Sequence, residues 1–114
     1  MNLATLFDDG WQLDDGEERH RESPDTFYLP PAEIRSTLLP GQIVKLIFRI
    51  ELEDDDKVRT QEVERMWVIV QARFTDGMYV GILDNDPQCT QGIKAGMKVV
   101  FEPRHVIQVH SSAA

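Results

Sequence analysis

The chain has 114 residues, a formal net charge of −8, 41% hydrophobic residues and one cysteine, Cys89. This length suits a single domain with one modest core, and the hydrophobic share excludes global disorder. A lone cysteine excludes an intrachain disulfide, and an acidic surface that repels phosphate disfavours binding to nucleic acid or to an anionic membrane.

The negative charge is unevenly spread. Residues 1–41 hold nine acids and three bases, residues 42–61 five acids and four bases, and residues 62–114 six acids and five bases. Most of the excess therefore precedes the β-rich part of the chain. Such a distribution suits a cationic protein partner, although acidity also serves solubility alone. The N-terminus, Met1 to Asp9, lacks the basic and long apolar regions of a secretory signal, and no apolar run is long enough to span a bilayer. The expected location is cytoplasmic.

Residues 1–29 read as an acidic, irregular lead-in. Its large apolar groups predict docking onto the body through Trp11 and through Phe27 or Tyr28. Residues 30–110 read as one β-rich domain and residues 111–114 as a frayed tail. Pro30-Pro31 opens a predicted short helix over Ala32–Leu39, with Ile34, Leu38 and Leu39 on one face, and Pro40-Gly41 ends it.

From Gln42 the hydrophobic period changes to two. Val44, Leu46, Phe48, Ile50 and Leu52 form one face of a predicted strand, and Asp54-Asp55-Asp56-Lys57 is its solvated hairpin tip. The tip lacks the spacing and closing glutamate of a calcium loop. A second strand runs from Glu62 to Phe74, with Met66, Val68, Val70, Ala72 and Phe74 on one face and Arg65, Trp67, Ile69, Gln71 and Arg73 on the other. Asp76-Gly77 predicts a tight hairpin into Met78–Leu83, where Gly81 marks a bulge or a close backbone approach. Met97–Phe101 and Val106–Val109 are further strands on either side of Pro103. The expected fold is mainly β (α+β): a small curled antiparallel sheet or SH3-like barrel of four to five strands preceded by one short helix.

Four blocks carry a family resemblance: Glu64-Arg65-Met66-Trp67-Val68, then Gly81 to Pro87, then Gly96-x-x-Val99-x-Phe101, and His105-Val106. With them the body from about Leu38 to Val109 resembles a family of small bacterial domains of unknown function, of the 2314/2185 type. The lead-in before Pro30 falls outside this pattern. Related small domains occur among toxin-immunity proteins, so the resemblance implies protein binding, with no established enzymatic activity and no cofactor.

The residues themselves assemble no catalytic set. Nothing in the sequence brings Cys89 to His20, His105 or His110, no zinc spacing is present, and the glycines are dispersed. Adjacent carboxylates in a polar segment stay solvated and lack the apolar pocket that acid–base chemistry needs. No metal and no cofactor are expected.

Three surfaces are candidates for binding a partner. The first is the acidic lead-in, with Asp14, Asp15, Glu17 and Glu18. The second is the outer strand face with Arg65, Trp67 and Arg73, residue types enriched at binding hot spots, unless the short helix or the lead-in covers Trp67 and Ile69. The third is the Asp84-Asn85-Asp86 turn beside Tyr79.

The expected function is that of a non-enzymatic immunity or inhibitor protein that occludes a basic toxin or effector. The alternatives are a small regulatory or ligand-sensing barrel, which requires an apolar pocket, and an acidic nucleic-acid mimic. Monomer and homodimer both remain open.

Overall fold

The alternation from Ile43 produces β2 (Ile43–Glu53), which pairs in antiparallel register with β3 (Arg59–Arg73) from Ile43↔Ile69 to Glu53↔Arg59. This long hairpin is the spine of the computed structural model, which describes residues 2–110. The tail expected to fray at residues 111–114 lies outside the described residues.

β3 turns at Asp76-Gly77, where Gly77 has φ 85°, into β4 (Tyr79–Leu83). β4 in turn pairs with β5 (Lys98–Phe101). Pro103 ends β5 and opens a 3-10 turn (Pro103–His105) that leads into β6 (Val106–Val109). With a short first strand, β1 (Trp11–Leu13), the strand order is β1-β2-β3-β4-β5, with β6 on β2. One short turn thus joins β5 to β6, although the two lie on opposite sides of the β2–β4 sheet. The sheet must curl to allow this, and the fold is a mainly β half-barrel with a few short helices.

Sequence expectation and structure part in four places. First, the segment expected to be irregular contains a single-turn helix α1 (Leu6–Asp9), a short strand β1 (Trp11–Leu13) and a helix α2 (Gly16–Glu22). β1 pairs with β2 through Trp11↔Ile50, Gln12↔Arg49 and Leu13↔Phe48. Trp11 is buried, with its ring 5.4 Å from that of Phe48, and the Phe27 ring lies 5.5 Å from the Arg65 guanidinium, while Tyr28 is exposed.

Second, the helix after Pro31 is one turn only, α3 (Ala32–Arg35). Leu38 is buried, but Ile34 and Leu39 are exposed, and the buried member of the turn is Arg35. Its Nε donates to the Pro30 carbonyl at 2.7 Å, and its Nη1 donates to Glu17 and to the Pro103 carbonyl. A guanidinium with three such acceptors satisfies carbonyls that an apolar face would leave orphaned.

Third, the β3 alternation breaks at a register shift between Val70 and Ala72, so Phe74 leaves the apolar face and is exposed. Fourth, β1 raises the strand count to six.

The core lies inside the curl and includes Val44, Leu46, Phe48, Met66, Val68, Tyr79, Leu83, Val99, Phe101 and Val106. On the outer face Ile47 and Ile107 are also buried, and a Cβ placed on Gly16 would meet Ile107 Cγ2 at 2.9 Å. The lead-in therefore packs closely against this outer face. Trp67 and Ile69 stay half-buried.

Candidate partner-binding surface

The lead-in is joined to the half-barrel by ion pairs. The Asp14 carboxylate, little exposed, accepts from Arg49 Nε and Nη2 at 3.0 and 2.8 Å and from Arg19 Nη2 at 2.6 Å. Asp15 caps α2 by accepting from the Glu18 backbone N–H at 3.0 Å, and its other oxygen pairs with Arg104 at 3.1 Å. Glu17 pairs with Arg35 at 2.7 Å. Burial pushes the Asp14 carboxyl upward, but its hydrogen bonds from Arg49 and Arg19 outweigh this and hold it below the usual carboxylate value.

Three of the four lead-in acids proposed as a patch for a basic partner are therefore occupied within the chain, and only Glu18 is exposed. An open groove of about 770 Å³ lies along this seam. Asp14, Asp15, Glu18 and Glu22 line it together with Arg19, Arg49, Arg65 and Arg104. Four carboxylates face four guanidiniums, so the groove is a polar, charge-balanced seam and no negative patch.

Asp14→Ala is expected to lower stability by about 2 kcal/mol, because it strands two partly buried guanidiniums. The loss should appear in a denaturant melt followed through the fluorescence of Trp11 and Trp67. An unchanged midpoint would mean that the seam does not hold the lead-in.

On the outer face of β3, Arg65 stands over the Phe27 ring. Lys45 Nζ lies 4.5 Å from the centre of the Trp67 ring, and His110 meets that ring edge-on at 5.5 Å. Trp67 is thus flanked by the Lys45 ammonium from β2 and by the imidazole of His110, which follows β6. Arg73 is exposed at the end of the β3–β4 ladder.

The third surface needs correction at Tyr79, which is fully buried. Its ring stacks on Phe101 at 5.1 Å, its hydroxyl donates to the Arg35 carbonyl at 2.9 Å, and the Leu38 N–H donates to it at 3.2 Å. The neighbouring turn is tied down as well. Asn85 Oδ1 accepts from the Trp67 N–H at 2.6 Å and Asp86 Oδ1 from the Ala95 N–H at 2.9 Å, which leaves Asp84 exposed without a side-chain bond among the described residues.

Two reactive residue types lie elsewhere. Cys89 is partly exposed, and its thiol is pushed up to about 11, first by burial and then by the Glu64 carboxylate beside it. That carboxylate accepts from the Gln88 and Cys89 N–H groups, each at 3.0 Å. A thiol so suppressed is a poor nucleophile. Alkylation of Cys89 by iodoacetamide at pH 8 is expected to run at least about tenfold slower than that of a free thiol, as mass spectrometry would read. A rate equal to free cysteine would contradict the placement of Glu64. Among the described residues no group of three or more His, Cys, Asp or Glu is arranged to hold a metal ion, and no helix is long and apolar enough to cross a membrane.

Fold and surface together define a small β half-barrel whose acidic lead-in adds β1 to the sheet and sets the start of α2 against the outer face. The model of a family described as an uncharacterized protein conserved in bacteria (DUF2314) matches residues 15–109, and the chain belongs to that family. The match covers all four sequence blocks and starts at the α2 cap, inside the lead-in that the resemblance had left out. Neither the curated proteins nor the solved structures contain a significant match.

Proposed function

We propose that the protein is a non-enzymatic binding domain of the immunity or inhibitor type, which occludes a cationic surface on a partner protein. The observation that carries this reading is where charge is left unpaired. Among the described residues ion pairs engage five carboxylates (Asp14, Asp15, Glu17, Glu51 and Glu102) and five arginines, so the excess of −8 rests on the other charged side chains. Unpaired surface charge steers encounter with an opposite partner, whereas charge already paired inside the chain contributes little.

The small-molecule reading is less well supported, because the groove along the lead-in seam is open and lined mainly by charged groups where a ligand pocket is usually concave and apolar. Affinity purification of the tagged protein from its native cells, at low and at high salt, tests the proposal. One basic protein recovered in equal amount at low salt and lost at high salt is the expected result. A protein that elutes alone at low salt would overturn it.

A further inference from the structure

We infer that the partner adds a cationic, extended segment as a further strand on the open edge of β3 between Arg59 and Val63. The inference rests on the protein-binding reading above and names its surface. β2 pairs with β3 along Arg59–Ile69, whereas β4 covers the other edge of β3 only from Val68 to Arg73. The hairpin thus runs past the body as a two-stranded ribbon, in which every residue from Glu53 to Val63 is exposed.

The direction of the backbone groups follows from the ladder. The Trp67 N–H points away from β2, since it donates to Asn85 on the β4 side. Antiparallel pairing alternates every residue, so the N–H groups of Val63, Gln61 and Arg59 point to the same open side. An uncovered edge of this kind is a template for strand addition. Two exposed valines, Val58 (53%) and Val63 (39%), give such a strand apolar contact.

Charge selects the occupant. Residues 51–62 carry six acids against Lys57 and Arg59, a net of −4. A second copy would bring two such ribbons together and is disfavoured, whereas a segment that alternates lysine or arginine with apolar residues is complementary. The ribbon is also pre-shaped: Asp54 Oδ1 accepts from the Asp56 and Val58 N–H groups, each at 2.9 Å, and so orders the tip.

The test uses the full chain labelled for amide NMR and an eight-residue peptide alternating lysine and valine. Its controls are the same peptide N-methylated at alternate residues and a glutamate–valine peptide. Binding of the lysine peptide should slow amide exchange at Gln61 and Val63, and N-methylation, which keeps the charge but removes the donors, should weaken it about tenfold or more.

Equal affinity for the N-methylated peptide, shifts confined to the lead-in groove, or no binding of the lysine peptide would each overturn the inference. Gln61→Pro removes one outward donor without touching the β2 ladder. If a partner recovered from native cells binds Gln61→Pro as tightly as wild type, the edge is wrong while the protein-binding reading stands. If wild type recovers no partner while the peptides behave as expected, the protein-binding reading alone fails.

Discussion

Replacing Gly81 with alanine is expected to lower stability by about 3 kcal/mol, near the top of the range for overpacking a filled site. Gly81 lies in β4 opposite Val70, beside the register shift in β3. An added Cβ would stand 2.5 Å from Val68 Cγ1 and 2.6 Å from the Ile69 carbonyl oxygen. The valine methyl can turn aside, but the carbonyl belongs to the ladder and cannot. Relief requires β3 and β4 to part, which strains the hydrogen bonds that carry the curl. The expected drop in Tm is about 10 °C or more. Gly92→Ala is the control, because its Cβ would meet only Thr90 Oγ1, at 3.6 Å, and should change stability by less than about 0.5 kcal/mol. If both variants melt alike, the close approach of the two strands is wrong.

Stability is expected to fall by roughly 2 kcal/mol between pH 7 and pH 4.5, through His105. This residue is 1% exposed, and its Nδ1 accepts from the Glu102 N–H at 2.9 Å. Burial, then the Arg104 charge, lowers it from the ordinary 6.5 to about 4, against the smaller opposing pull of Glu102, Asp15 and Asp14. Below pH 6.5 the unfolded chain therefore takes up a proton that the folded chain refuses, and stability declines until the pH nears 4. The carboxyls of Asp14 and Asp15 are held below the ordinary 3.8, so their contribution is lost only at lower pH still. Urea melts at the two pH values measure the effect, and His105→Gln should flatten the dependence even if it melts earlier at pH 7. A wild-type midpoint that does not move with pH would mean that His105 is solvated.

Much of the fold was legible because its signals are local. The alternation over Val44–Leu52, the Asp76-Gly77 turn and the break at Pro103 each reside in a few adjacent residues, and each appears in the structure where the sequence placed it. α2 also carries a local signal, in its cap and its charges. Asp15 stands three residues before Glu18, acids occupy its first turn and Arg19, His20 and Arg21 its last. It lacks an apolar stripe, and a search by periodicity misses a polar helix. β1 has three residues, too few to display a period.

The candidate surfaces were legible only as residue types. Tyr79 and Arg73 both looked available, yet Tyr79 lies in the core, where its hydroxyl binds the backbone at Arg35 and Leu38. The acids of the lead-in looked free because their partners are remote in the chain: Arg49 for Asp14 and Arg104 for Asp15. Conversely, the tip read as a merely solvated hairpin ends a long ribbon, a distinction that depends on where β4 stops covering β3.

By itself, then, the sequence determined the strand pattern, the hairpin turns, the acidic balance and the blocks shared with the family. Each of these is set by the covalent neighbourhood of a residue, by side-chain alternation or by simple counting. Only the tertiary structure decided which strands meet across the curl, that Asp14, Asp15 and Glu17 of the lead-in pair with arginines, and which strand edge stays open. Those outcomes depend on groups tens of residues apart meeting in space, and no local period encodes which charge will find which partner.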